Sequence, residues 1–245
     1  MQSFGRTDVG IVRSVNQDYI YVNDSKVGPL SNLYIVADGM GGHNAGDFAS
    51  KYTVDNFVAR ISEASENVYS VLTLIEDTLR GINEELIVKS SENSELEGMG
   101  TTFVMCSVDE DDQMYVCNIG DSRLYVIDSQ IRQITEDHSL VAEMVKKGEL
   151  SKEEARFHPK KNVVTRALSA LGVVTPDFFS LKLEKGAIAL LCSDGLSNML
   201  SDAEIFEIIS DYREDLSSAV QILIDRANDN GGKDNISAIL IKNED

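Results

Sequence analysis

The sequence predicts an α+β fold in which antiparallel strands are interrupted by pairs of helices. Three observations predict it. Apolar residues recur at helical spacing in two long consecutive stretches, 45–61 and 68–89. From Gly100 onward the period becomes that of short strands, and the turns joining those strands are too short for a crossover helix. Strands in hairpins with helices in pairs argue layers of helix and sheet rather than a βαβ winding. No repeat, low-complexity segment or linker divides the 245 residues, so one domain over 1–245 is expected.

Taken in order, residues 3–21 read as two short strands about a turn at Asp8-Val9-Gly10, with the polar cluster Arg13, Asn16 and Asp18 just before the second. Residues 32–38 read as a buried strand around the apolar run 33–37, which drives into Asp38-Gly39 and a cluster of glycines opening into a helix. The helices at 45–61 and 68–89 each carry one apolar face to bury against a sheet. Strands follow at 101–108, 114–118, 123–127 and 131–134, with turns at 109–113, Gly120-Asp121 and Asp128-Ser129. Residues 139–148 look helical, and Ser151 with Glu154 and Ser201 with Glu204 have the spacing of capping boxes. The polar stretch 147–162, with Pro159, is expected to be a surface excursion. Strands at 178–183 and 188–193, a helix striped by Leu216, Ala219, Val220 and Leu223, and a strand at 236–241 complete the chain.

Composition limits the function. Lys and Arg number 22 against 41 Asp and Glu, a net charge of −19, which disfavours a nucleic-acid partner and an anionic membrane surface. The longest apolar run is too short to span a bilayer, the first residues lack a leader's apolar core, and three cysteines without C-x-x-C spacing suit a reducing compartment. A soluble cytoplasmic protein is expected.

Three aspartates share one grammar. Asp38 and Asp194 each follow an apolar strand and precede glycine, and Asp234 follows Gly231-Gly232 and precedes a strand. If the third strand runs antiparallel to the first two, all three carboxylates reach one sheet edge. Like charges so crowded need a cation. Oxygen donors suit Mg²⁺ or Mn²⁺, and glycine at 39 lets a backbone carbonyl approach. Two such ions ~3.5 to 4 Å apart are the usual clamp in phosphatases. Asp121, at another strand start, is a further candidate ligand.

The ordered set Arg13-x-x-Asn16-x-Asp18, Asp38-Gly39-Met40-Gly41-Gly42-His43, Gly100-Thr101-Thr102, Gly120-Asp121-Ser122-Arg123, Asp137-His138-Ser139, Thr165-Arg166-Ala167-Leu168, Ser193-Asp194-Gly195-Leu196 and Gly232-x-Asp234-Asn235 resembles the metal-dependent serine/threonine protein phosphatases of the PPM, or type 2C, family, in their bacterial form. The resemblance covers nearly the whole chain. It implies a β-sandwich of two antiparallel sheets flanked by helix pairs, α-β-β-α in layers, and a flap at 147–162. It implies two core ions, Mn²⁺ or Mg²⁺, held by Asp38, the Gly39 carbonyl, Asp194 and Asp234, with Asp121 and Asp194 at a third. Asp18 matches a group that holds metal-bound water, and Arg13 one that binds phosphate. The implied substrates are proteins phosphorylated on Ser or Thr, hydrolysed by a metal-activated water without a phosphoenzyme, in opposition to a serine/threonine kinase and by a monomer. Eukaryotic members have a proton-donating histidine where this chain has Met40; His43, three residues on, is the candidate donor or else a helix-entry residue.

Rival readings stay on the page. Cys117 and Arg123 have the C-x₅-R spacing of cysteine phosphatases, but no helix follows to cradle a phosphate. Residues 39–46 resemble a dinucleotide loop, with Asn44 in place of its last glycine, and Asp109 to Asp111 faintly suggest an aspartyl-phosphate site. A silent phosphoprotein-binding relative is expected to have lost a metal aspartate, and this chain keeps all of them.

Overall fold

The computed structural model describes residues 1–42, 45–65, 70–169, 172 and 174–244. The elements begin with strands β1 (Gln2–Asp8), β2 (Asp18–Asn23) and β3 (Leu33–Met40), then helices α1 (Ala45–Glu63) and α2 (Val71–Glu92). Strands β4 (Gly100–Thr101), β5 (Phe103–Val108), β6 (Gln113–Ile119), β7 (Arg123–Ile127) and β8 (Ile131–Gln133) come next, followed by α3 (Leu140–Lys146) and α4 (Lys152–Phe157). The chain closes with β9 (Leu168–Ser169), β10 (Asp177–Lys182), β11 (Ile188–Cys192), α5 (Asp194–Ser197), α6 (Asp202–Asp211), α7 (Leu216–Asp229) and β12 (Ile236–Lys242).

Alternation along the strands decides how these elements stack. Side chains of a strand point to opposite faces in turn. On β3, Leu33, Ile35 and Ala37 pack with Phe57, Ile61, Leu79 and Ile82 of α1 and α2. Tyr34 and Val36 face the other way, toward Leu124, Leu191 and Ile239. On β12 the same rule sends Ile236, Ala238 and Leu240 to Leu216, Val220 and Leu223 of α7, and Ile239 and Ile241 to the shared interior. Strands with two apolar faces therefore need a sheet on one side and helices on the other, which gives the expected α-β-β-α layers. One sheet has the order β1-β12-β11-β7-β8; the other has β10-β6-β5-β3-β4-β9, with β2 also on β3. The named strand pairs are antiparallel throughout.

Local signals carried over well at the helix ends. Both capping boxes form, Ser151 with Glu154 and Ser201 with Glu204. The helix expected from residue 68 begins at Val71 with Ser70 as its cap; residues 68 and 69 lie outside the described residues.

Turns carried over less well. The Asp8–Gly10 turn makes no hairpin, because β1 pairs with β12 and β2 with β3, in different sheets. Gly120-Asp121 likewise carries the chain from β6 in one sheet to β7 in the other. A short turn brings strand ends close without saying whether they pair edge to edge or stack face to face. The expected strand 101–108 breaks at Thr102, whose N–H donates to the Asp38 carbonyl at 2.9 Å. Asp194 opens the short α5, and Ser193 stands at its cap position. Among the described residues, no helix is long and apolar enough to cross a membrane.

Candidate functional site

The pairing of β2 with β3 sets Asp18 opposite Asp38, and side chains directly across a ladder stand ~5 Å apart. In the other sheet β11 and β12 pair with Cys192 opposite Ala238, so the residues just past β11 lie beside those just before β12. Asp194 and Asp234 meet there. The two sheets then close face to face and bring both pairs together: Asp38 feels the charges of Asp18, Asp194, Asp121 and Asp234. Asp194 in turn feels the charge of Asp234.

Glycine makes the close approach possible. A Cβ on Gly39 would stand 2.1 Å from the Gly46 carbonyl oxygen and 2.6 Å from that of Gln17. A Cβ on Gly195 would stand 1.9 Å from the carbonyl oxygen of Asn235. Backbone cannot yield as a flexible side chain does, so β3 meets the start of α1, and α5 meets the start of β12, only through glycine.

The loop 9–17 covers one side of the cluster. Asn235 pins it, accepting from the Gln17 N–H at 2.9 Å and donating to the carbonyls of Val9 at 2.9 Å and Val15 at 3.0 Å. Arg13 at its tip donates to Asp234 Oδ2 at 2.8 Å, with half of its side chain still exposed.

The carboxylates carry the electrostatic strain of this arrangement. Burial, and after it the neighbouring negative charges, push Asp38 and Asp121 well above the ordinary carboxylate range. The same causes raise Asp194 to about 6 and Asp18 to about 7. Asp18 is steadied by two hydroxyls: Ser193 and Ser237 both donate to its Oδ2 at 2.7 Å. Its Oδ1 and that of Asp194 are buried and find no donor in the protein, while Asp194 Oδ2 accepts from Asn198 at 2.9 Å.

Among the described residues, no group of three or more His, Cys, Asp or Glu side chains forms a ready-made metal cage. Asp234 is bound to Arg13, and Asp194 Oδ2 to Asn198. The donor set nevertheless fits hard divalent ions. All donors are oxygens, two of them buried without a hydrogen bond, and the surplus negative charge is what such a cation relieves.

Of the residues expected at the site, Arg13, Asp18, Asp38, Gly39, Asp121, Asp194 and Asp234 come together; His43 lies outside the described residues. Several contributors went unnoticed in the sequence. Ser193 and Ser237 hold Asp18, Asn198 holds Asp194, and Thr102 Oγ1 accepts from the Asp38 N–H at 2.9 Å. Only Ser193 and Thr102 lie inside recognisable motifs. His138 is buried: its Nδ1 accepts from the Gly120 N–H at 3.0 Å and its Nε2 lies 2.9 Å from Asp177. That contact fixes the residue just before Asp121. The cysteine rival fails on geometry, because Cys117 is buried with its thiol pushed far up by burial, and Arg123 is bound to Asp137.

A family model described as protein phosphatase 2C matches residues 11–240. The chain belongs to the protein phosphatase 2C family. The phosphatase is 40% identical over 244 residues to the serine/threonine phosphatase stp of Listeria innocua serovar 6a, covering 97% of this chain and 94% of that protein. It is similar to the structure of the S. agalactiae serine/threonine phosphatase, with a TM-score of 0.91, 36% identity and 99% of each chain covered. A catalytic domain of the serine threonine protein phosphatase PstP, in complex with 2 manganese ions, matches it with a TM-score of 0.85 at 30% identity over 100% of this chain and 98% of that one. This is a metal-dependent serine/threonine protein phosphatase acting on phosphorylated proteins.

Proposed function

We propose that the carboxylate cluster is the hydrolytic centre, in which Asp38, Asp194, Asp234 and the Gly39 carbonyl hold two Mn²⁺ or Mg²⁺ ions and Asp121 with Asp194 holds a third. One observation carries the reading: acidic side chains from both sheets converge where burial and mutual repulsion raise Asp18, Asp38, Asp121 and Asp194 together. A fold gains nothing from that crowding unless a cation offsets it. The PstP structure with 2 manganese ions supports the choice of metal.

Bound ions supply positive charge to the phosphoryl oxygens and make a water acidic near neutral pH. The chain's own residues do the rest. Arg13 keeps donors to spare beside its bond to Asp234, and its planar fork takes the phosphate oxygens of the substrate. Asp18, oriented by Ser193 and Ser237, keeps its other oxygen buried without a hydrogen bond, and that oxygen would hold the attacking water. Hydrolysis then proceeds by direct displacement, without a phosphoenzyme. His43 is the candidate proton donor to the leaving oxygen. The enzyme works as a cytoplasmic monomer opposing a serine/threonine kinase, in keeping with its acidic composition and lack of a membrane-crossing helix among the described residues.

The deciding experiment titrates Mn²⁺ and Mg²⁺ against phosphate release from a phosphothreonine peptide. Activity that saturates with metal and vanishes with chelator is expected; release that persists in chelator refutes the assignment.

A further inference from the structure

Exposed apolar side chains gather on the loop that carries Arg13. Ile11 and Val12 are each 66% exposed, Val15 is 42% and Val9 36% exposed. Such residues scattered singly need no explanation, but four on one short loop make a patch whose covering is favourable.

The loop does not expose them through looseness. The N–H groups of Ile11 and Val12 both donate to the Gly232 carbonyl, at 2.9 and 3.1 Å. Asn235 holds the backbone of Val9, Val15 and Gln17, and Asn16 donates to Thr7 Oγ1 at 2.8 Å. Gly10 abuts the next segment so closely that a Cβ on it would stand 2.2 Å from the Asp234 carbonyl oxygen. None of these anchors is a side chain of Ile11, Val12 or Val15. The apolar groups are therefore presented on a backbone already fixed, and whatever covers them has no loop to order.

The position of Arg13 decides the occupant. It stands between Val12 and Val15 with half of its side chain exposed, and it is the sole charged residue from 9 to 17. A phosphate held there leaves the neighbouring residues of its own peptide close by, since successive Cα atoms lie 3.8 Å apart. A charged neighbour would give up water against valine and isoleucine without a partner, whereas an aliphatic one leaves water at a gain. A second copy of the chain is a poorer fit, because four side chains fall well short of the ~800 Å² per partner that a stable dimer buries.

We propose that Ile11 and Val12, with Val15 beyond Arg13, form an apolar shelf on which a protein substrate rests an aliphatic side chain adjacent to its phosphorylated residue. The proposal rests on the reading of Arg13 as the phosphate-binding group of the hydrolytic centre. It makes Ile11 and Val12 specificity-determining residues.

The test uses the full chain with Mn²⁺ and three phosphothreonine peptides equal in length and charge, with leucine just before the phosphothreonine, with leucine just after it, or with serine at both places. For the better leucine peptide kcat/KM is expected to exceed that of the serine peptide about fivefold, mainly through KM, the scale of partly burying one aliphatic side chain. High salt leaves this ratio standing, as it would not leave a preference made by charge. The double variant Ile11→Ser/Val12→Ser brings the ratio near one, and each single serine variant lowers it partway should the double variant fold poorly. Ile11→Leu keeps it, and so does Val88→Ser, which removes an apolar side chain 53% exposed on α2. Equal kcat/KM for the three peptides, a ratio that collapses in high salt, or serine variants that slow all three peptides alike overturns the shelf. A wild-type dimer in sedimentation that the double variant lacks gives the patch to a second copy and overturns it as well. Absence of release from every peptide overturns instead the hydrolytic reading beneath it.

Discussion

Asp234→Asn should separate stability from function. The carboxylate accepts the Arg13 bond at 2.8 Å, but Arg13 is half-exposed, so losing that pair costs about 1 kcal/mol at most. Against this, Asp194 is raised from 3.8 to about 6, with burial the larger cause and the Asp234 charge the next. That rise amounts to roughly 3 kcal/mol against ionising Asp194, of which removing one neighbouring charge returns about 1 kcal/mol. The two effects cancel to within about 1 kcal/mol, and the variant in chelator should melt within a few degrees of the wild type. Metal makes the difference. At a concentration ~100 times its dissociation constant an ion stabilises the native state by about 2.7 kcal/mol, or about 5 to 10 °C for a chain of this length. Thermal denaturation with and without Mn²⁺, beside phosphate release from a phosphothreonine peptide, reads both quantities. The wild type should gain the increment and Asp234→Asn should lose most of it together with turnover. A variant that keeps the Mn²⁺ increment and normal turnover shows that Asp234 holds no ion.

Three further outcomes follow from the same geometry. In chelator, Asp18 and Asp194 stay protonated in the native state up to about 7 and 6, while their unfolded values are 3.8. The native state therefore binds more protons between those limits, and unfolding free energy falls as pH rises through that window. The denaturant midpoint should be higher near pH ~5 than near pH ~8, excess Mn²⁺ should flatten the difference, and a midpoint rising with pH in chelator contradicts the reading. Gly195→Ala places a Cβ 1.9 Å from the Asn235 carbonyl oxygen. The junction of α5 with β12 must shift, at a cost of about 1 to 3 kcal/mol, and weaker Mn²⁺ binding by calorimetry should accompany it; unchanged stability and binding would mean that the approach is not needed. Arg13→Ala should raise KM for a phosphopeptide several-fold with a smaller effect on kcat, since a charge-assisted hydrogen bond to substrate contributes about 1.5 to 3 kcal/mol, and steady-state kinetics showing neither change removes Arg13 from the site.

The legible part of the site was the part written in short motifs. Asp38, Asp194 and Asp234 each stand at the edge of an apolar strand, and a glycine beside an acid at a strand end is visible without a structure. Ser237 under Asp18 was not, because a serine on a buried strand looks the same whether it faces helices, the other sheet or a carboxylate, and Ser193, though inside a motif, gave no sign that its hydroxyl reaches Asp18. Asn198 and Lys161 were hidden for a related reason: they act across the gap between α5 and the segment 147–162, 37 positions apart in sequence.

What the sequence determined by itself was local. Apolar period named the strands and long helices, Ser-x-x-Glu spacing named two helix starts, and the order of motifs named the family. Tertiary structure decided who meets whom. Asp194 and Asp234 meet through the antiparallel pairing of β11 with β12, as strand direction alone suggested, but Asp38 reaches them from the opposite sheet, which no short-range pattern specifies. The period of a strand fixes which face each side chain takes. It leaves open which strand lies alongside and which sheet lies across, because those follow from burying the apolar faces of the entire chain at once.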